Sequence, residues 1–389
     1  RYERRNPVAR GVHVVQRRYS RAVPKGEVGA DVLIVGARVA GAVVASYLGD
    51  AGVDVLLIDS DPAPGPTLST HFFRGAGLVG VLDDLGILDE VLTSGAPRLT
   101  RQYFHVADSQ PMEQPPQEPG SVGFALSVRR ETLDPLLVKR ARRNESVRYW
   151  SSARAKDVVW AGDRVVGARV VRDGEEVSVM ARVVVAADGR RSSIARSVGA
   201  GRVREDPPKR AMYYGYVSGF TPPNSGPLDA TEISLLGDEL AYVIPSDHGL
   251  ACVAVSVNLD TFAAMRSRYR DAYRERVLAH PGLRRRIEVA TSYGDVLGYG
   301  PQPGHVREPA GNGWVLVGDA GIYYDPWSGF GMDSAAVHAR FAADAIKALL
   351  AGGDQDDCWS RYRRARDDHA LGKYQTTVEL ASDLRRLLA

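Results

Sequence analysis

The chain has 389 residues and a net charge of +3, with 25% of its residues charged and 44% hydrophobic. That length supports two domains with a sizeable core, and the near-balanced charge gives no bulk field directed at nucleic acid or a membrane surface. Two cysteines, Cys252 and Cys358, make no disulfide framework, no Cys/His cluster has metal-ligand spacing, and the longest apolar runs fall far short of a membrane span; a reducing cytoplasm is expected.

Residues 1–30 read as a solvated basic extension, rich in arginine, with Glu3 as the one acid of its first 25 residues. The most informative stretch follows. Val32 to Val35 is an apolar run of the kind that forms a buried parallel strand. Gly36 permits a sharp turn, and Gly41 lets the next helix, about Val39 to Ala51, pack close to the sheet. The start of that helix, at Val39 and Ala40, offers free N–H groups and a positive dipole end to a pyrophosphate. A second apolar strand, Val53 to Ile58, ends in Asp59 and Ser60, at the chain distance where an acid meets a ribose hydroxyl pair. Residues 31–59 therefore read as a βαβ unit for the ADP half of a dinucleotide. Arg38 replaces the middle glycine of G-x-G-x-x-G. It either points away from the phosphates or supplies them with a cation.

Residues 61–75, which include His71 and Arg74, read as a loop, followed by a helix near Ala76 to Leu85 that ends at Gly86. Residues 107–121 read as a surface loop. Arg130-Glu-Thr-Leu133-Asp134 leads into an amphipathic helix, Leu133 to Arg143. Residues 147–187 alternate apolar and polar around a tight Arg172-Asp-Gly174 turn. They close on an apolar strand that runs into Asp188-Gly189. From about 207 the pattern changes to antiparallel strands, Tyr213 to Phe220, Glu232 to Leu236, Leu240 to Ile244 and Leu250 to Leu259, and then to a basic helix over 261–289. A last buried strand, Trp314-Val-Leu-Val, ends in Gly318-Asp319. The loop Asp325-Pro326-Trp-Ser-Gly329-Phe-Gly331-Met332 then opens a helix that runs to about Leu350. Residues 355–389 read as a charged helix packed on the outside.

The βαβ unit, the Asp188-Gly189 motif and the Gly318-Asp319 motif, in this order and spacing, resemble the FAD-dependent oxidoreductase superfamily that includes p-hydroxybenzoate hydroxylase, geranylgeranyl reductases and flavin-dependent halogenases. The resemblance covers roughly residues 31–350. It implies an α/β fold: a Rossmann-like FAD-binding domain of glutathione-reductase type, an inserted, mainly antiparallel β-sheet substrate domain, and C-terminal helices. The expected divisions are 31–98, 123–206 and 302–352 for the FAD domain, 99–122 and 207–301 for the substrate domain, and 353–389 for a C-terminal helical segment.

By the same resemblance Asp59 binds the adenosine ribose, Gly36, Val39, Ala40 and Gly41 flank the pyrophosphate, Arg130 contacts the phosphate side, and Asp319 binds the ribityl chain. Arg38, Ser60, Arg74, Asp188, Gly189, Gly318, Pro326, Gly329, Gly331 and Met332 complete the expected cofactor contacts. A helix start at Gly329-Phe-Gly331 that faces the flavin pyrimidine edge stabilises negative charge there.

The substrate side is rich in tyrosine: Tyr213, Tyr214, Tyr216, Tyr242, Tyr323 and Tyr324. Tyr214 and Tyr216 share a strand face, suited either to a planar substrate or to plain sheet packing. Together with His71, a general base or flavin contact, they are the catalytic candidates. The leading expectation is a monooxygenase that hydroxylates or epoxidises an aromatic or polyketide-like molecule through a flavin C4a-hydroperoxide, with NAD(P)H as reductant and molecular oxygen as co-substrate. The absence of a second dinucleotide fingerprint is equally compatible with a separate flavin-reducing partner; a homodimer is left open. The alternatives are a reductase or dehydrogenase of C–C bonds and, with only Tyr242-Val-Ile-Pro245 in place of Trp-x-Trp-x-Ile-Pro, a halogenase. Ala320-Gly-Ile-Tyr-Tyr324 departs from the Ala-Ala-His of aromatic hydroxylases. Arg38 leaves open a non-catalytic flavoprotein that serves as a binding or assembly subunit.

Overall fold

The computed structural model describes residues 27–69, 72–220 and 228–388. Thr70, His71 and the arginine-rich arm lie outside the described residues. Alternation of buried side chains builds the first sheet. In the strand Glu27–Val35, Val32 and Ile34 enter one core while Leu33 and Val35 enter another. The same split divides Val55 and Leu57 from Leu56 and Ile58, and Val183 and Val185 from Val184 and Ala186. A stretch of strand covered on both faces must be apolar at every position, and residues 32–35, 55–58 and 183–186 are.

Strands Val55–Ile58 and Glu175–Ala186 flank Glu27–Val35 in parallel register, and Val147–Trp150 and Trp314–Leu316 extend the sheet on either side. Helices Val39–Asp50, Arg130–Ala141 and Gly331–Leu350 cover one face. The hairpin Ala153–Ala161 and Arg164–Arg172 covers the other and joins Glu175–Ala186 through the expected turn, with Asp173 at φ 53 and Gly174 at φ 82.

The second sheet runs, edge to edge, Ser292–Tyr293, Arg210–Ser218, Leu250–Asn258, Glu239–Pro245, Ala230–Leu236, Arg101–Val106 and Met112–Gln114. Its outer face packs on helices through Tyr213, Val243, Val253 and Val255 against Tyr273 and Val277. Its inner face, with Met212, Tyr214, Leu240, Ile244, Cys252 and Ala254, turns toward the loops of the first sheet and meets Trp327.

Four local readings change. Residues 107–121 contain a short edge strand, because Met112–Gln114 pairs antiparallel with Gln102–Phe104. The helix expected from Leu133 begins at Arg130, where the Arg130–Asp134 pair spans its first turn. The helix expected over 261–289 is three pieces, Leu259–Met265, Tyr269–Ala279 and Pro281–Ile287; Pro281 forces His280 out of helical geometry. The helix Gln355–Ala381 is not confined to the outside, since Tyr362, Arg366, Ala370, Tyr374 and Thr377 form a buried stripe. Tyr362 donates to Leu316 O at 2.6 Å. No helix among the described residues is long and apolar enough to cross a membrane.

Gly41 marks a very close helix–turn approach. A Cβ there would lie 1.8 Å from Gly36 O, whereas a Cβ on Gly372, exposed within the last long helix, would meet nothing within 4 Å. Gly41→Ala is therefore expected to destabilise by about 1–3 kcal/mol or more, and Gly372→Ala to stabilise by about 0.5–1 kcal/mol. Thermal unfolding of the two variants checks the opposite signs.

Candidate functional site

Four strands of the parallel sheet end, at their carboxyl edges, in Gly36, Asp59, Asp188 and Gly318, the place where open α/β sheets bind ligands. The loops that follow touch one another. A Cβ on Gly36 would fall 2.4 Å from Ala187 O, and one on Gly318 would fall 3.0 Å from Ala40 Cβ. Together they enclose a cleft of about 630 Å³. Gly36, Arg38, Val39 and Ala40 line it from the first turn, and Asp59 and Ser60 from the second strand. Arg130, Asp188, Gly189, Gly318 and Asp319 line it from the middle, and Pro326, Gly329, Gly331 and Met332 from the far loop. Gly41 lies behind the lining, against Gly36.

The Asp59 carboxylate is fixed by two backbone donors, Ala37 N at 2.7 Å and Asp61 N at 2.9 Å. No side chain caps the helix Val39–Asp50 and no acid lies in its first turn, so its N–H groups and dipole face the cleft uncompensated. Arg38 turns from that helix start toward carboxylates: it donates to Asp61 Oδ2 at 2.9 Å, to Asp134 Oδ2 at 3.2 Å and to Gly65 O at 3.2 Å. Asp134, fully buried, also takes a two-pronged bond from Arg130, both contacts at 2.8 Å. Asp188 accepts from Ser193 N at 2.7 Å and keeps Oδ1 without a partner.

Asp319 sits deep in the cleft. Burial pushes its carboxyl up from the usual 3.8 to about 6, opposed by the Arg130 and Arg190 guanidinium groups. A Cβ on Gly331 would lie 4.0 Å from Asp319 Oδ1, so this carboxylate and the start of helix Gly331–Leu350 share one corner, and no side chain caps that start.

Arg74 lies outside the cleft lining. Its guanidinium holds the far loop from behind, donating to Gly329 O at 2.9 Å, Ser328 O at 3.1 Å and Asp333 Oδ2 at 3.0 Å, with the Phe330 ring centre 4.2 Å away. The sequence reading placed Arg74 on the cofactor; the structure spends its donors on this loop, because the buried Asp333 sits beside it.

The tyrosines divide by strand face. Tyr214 lines the cleft and accepts from Ser69 N at 3.2 Å. Tyr216 shares its face and meets it edge-on, ring centres 6.3 Å apart, but lines no cavity described here. Two residues along a strand is about 7 Å, enough to carry it past the site. Tyr213 points to the opposite face and stacks on Phe262 and Tyr269. Tyr323 and Tyr324 line the cleft, and Tyr323 shares a 2.5 Å hydrogen bond with Tyr299.

A second chamber of about 400 Å³ adjoins the cleft; Met212, Pro326 and Gly329 belong to both walls. Tyr242 lines it and donates to Trp327 O at 2.7 Å.

Sequence reasoning missed Asp134, Asp333, Arg190 and Tyr299. Only Asp134 carried a local signal, its i,i+4 spacing from Arg130.

A model of the FAD binding domain matches residues 29–224. The chain belongs to that family. It is an FAD-dependent oxidoreductase. Over 371 residues it is 26% identical to 1H-pyrrole-2-carbonyl-(peptidyl-carrier protein) brominase of Pseudoalteromonas luteoviolacea, spanning 90% of this chain and 84% of that protein. Over 333 residues it is 27% identical to digeranylgeranylglycerophospholipid reductase of Thermoplasma acidophilum, spanning 83% and 79%. The fold is similar to that of the myxobacterial chondrochloren halogenase CndH, with a TM-score of 0.79 and 24% identity over 90% of this chain and 82% of that one.

Two outcomes follow from the electrostatics. Arg74 is 3% exposed and its Asp333 partner 1%. Arg74→Met strands a buried carboxylate and is expected to cost about 3–5 kcal/mol. Arg38→Met, at a side chain 32% exposed, is expected to cost about 1 kcal/mol or less. Thermal unfolding separates them. Asp319 has a folded pKa above its unfolded one, so its contribution to stability is present while it is protonated and is lost as pH rises from the usual 3.8 through about 6. In flavin-free protein, Asp319→Asn is expected to raise the melting temperature more at about pH 8 than at about pH 4.5. The opposite ordering contradicts the assignment.

Proposed function

We propose that the protein is an FAD-dependent monooxygenase that uses NAD(P)H and molecular oxygen to hydroxylate or epoxidise a compact, largely apolar substrate of aromatic or polyketide type. The observation that carries this reading is the adjacency of cleft and chamber, which share Met212, Pro326 and Gly329 in their linings. A chamber of that size suits a drug-sized molecule.

The residues fit FAD by their donors and acceptors. Asp59, aligned by two amides, retains lone pairs for the adenosine ribose hydroxyls. The helix start at Val39 receives the pyrophosphate. Arg130, oriented by Asp134, faces the phosphate side. Asp319 and the unpartnered Asp188 Oδ1 accept from the ribityl hydroxyls. The Gly331 helix start stabilises negative charge at the pyrimidine edge. Bound FAD supplies hydride acceptance and oxygen activation. Tyr214, whose hydroxyl burial pushes up to about 12, stays protonated at neutral pH, so it orients a ligand and does not act as a base.

A second reading, reduction of a C–C double bond, is supported by the similarity to the Thermoplasma reductase. Halogenation has the brominase similarity in its favour and the missing Trp-x-Trp-x-Ile-Pro against it.

The purified protein is expected to be yellow, to bleach with NAD(P)H, and to reoxidise in air faster when a chamber ligand is present, with isotopically labelled oxygen entering the product. Reoxidation with a saturated, unlabelled product favours the reductase; halide incorporation favours the halogenase. Asp59→Ala is expected to weaken FAD binding roughly tenfold or more. Protein that stays colourless with added FAD defeats all three readings.

A further inference from the structure

The chamber beside the cleft carries a feature that the flavin chemistry does not use. Gln102 and Thr231 face one another as Cα partners in the parallel pairing of Arg101–Val106 with Ala230–Leu236. Both line the chamber, and each is 3% exposed. Gln102 Oε1 and Thr231 Oγ1 have no hydrogen-bond partner. Their neighbours on the same strand face, Phe104 and Ile233, are apolar. Buried polar atoms are ordinarily paired, and leaving them unpaired destabilises the fold. The rest of the lining is mixed, with Gln114 paired to Gln102 on its other side and Gln117, Tyr242 and Ser328 elsewhere on the wall, but two unpaired buried atoms side by side match a ligand group.

The charge of the chamber narrows the ligand class. Arg74 is the one charged side chain in the described lining. Its guanidinium is already engaged by Asp333, Gln117 Oε1, Ser328 O and Gly329 O. An anionic ligand would lose its hydration and gain no free cation.

We infer that Gln102 and Thr231 form the specificity-determining contact of the chamber, and that the substrate is a neutral, mainly apolar molecule with one hydroxyl or amide N–H that donates to Gln102 Oε1 while its oxygen accepts from the Thr231 hydroxyl. An acceptor and a donor on neighbouring strands complement a hydroxyl, which gives one hydrogen bond and takes another. This rests on the proposed function, with the chamber as its substrate site.

Calorimetric titration of the purified full chain with 2-naphthol, naphthalene and 2-naphthoate tests it, with flavin content recorded for every sample. Wild type is expected to bind 2-naphthol about three- to tenfold tighter than naphthalene, and 2-naphthoate at least about tenfold weaker than 2-naphthol. Gln102→Leu and Thr231→Val should each shrink the naphthol advantage while leaving naphthalene affinity within about threefold of wild type. Thr231→Ser, which keeps the hydroxyl, should retain the advantage. A merely structural role would change both ligands alike. The inference is overturned if the naphthol preference survives in both variants, if 2-naphthoate binds as well as 2-naphthol, or if none of the three ligands binds. A yellow protein with any of those results sinks this inference alone. A colourless protein that ignores FAD sinks the proposed function, whatever the naphthol result.

Discussion

Asp333 lies in the first turn of the helix Gly331–Leu350, almost fully buried, and its carboxylate takes Arg74 N at 3.0 Å, Leu78 N at 2.9 Å and the Arg74 guanidinium at 3.0 Å. A buried charge is tolerated only with such compensation. The consequence is geometric. Arg74, once paired, also grips Ser328 O and Gly329 O, so the loop between cleft and chamber is clamped from the chamber side. Gly77 completes the arrangement, since a Cβ there would sit 2.3 Å from Asp333 Oδ1. The wall that both cavities share is thus set by one ion pair. The helix start it aligns is left without a side-chain cap, and Gly331 and Met332 there line the cleft.

The first sheet was legible because its central parallel strands end in unbroken apolar runs and its turns carry glycine or aspartate at fixed offsets. Those signals are local, and Asp59, Asp188 and Asp319 fell into one cleft as the motifs implied. Pairings over long separations left no such mark. Arg74 and Asp333 are 259 residues apart, and nothing near Arg74 distinguishes it from a solvated loop arginine. Gln102 and Thr231 meet only because their strands pair in parallel across the second sheet. The break at His280-Pro281 is different: the proline rule was available in the sequence, and the basic, amphipathic run across 261–289 masked it. Tyr216 shows the limit of face periodicity. The period of two put it on the face of Tyr214, but it does not say where along the strand a cavity stops.

Arg38 shows how a departure from a fingerprint is absorbed. The glycine normally found there keeps a side chain out of the path of the phosphates. Here the side chain leaves that path because three acceptors, Asp61, Asp134 and Gly65 O, draw it to one side. Asp134 already serves Arg130, so one buried carboxylate orients two arginines at the edge of the cleft.

The two cavities therefore divide the electrostatics of the site. Charge is concentrated in the cleft, whose lining carries Arg38, Arg130 and Arg190 together with Asp59, Asp61 and Asp319, and a helix start adds positive potential. The chamber keeps one charged side chain, already paired, and an otherwise uncharged wall. On the proposed reading, charge that develops on a dinucleotide would meet fixed dipoles on one side of the Pro326–Gly329 loop, while a neutral reactant would lie on the other. The chamber is screened from water at Gln102 and Thr231, each 3% exposed, and such screening strengthens hydrogen bonds. For that reason two unpaired polar atoms on its wall weigh more in recognition than many exposed ones.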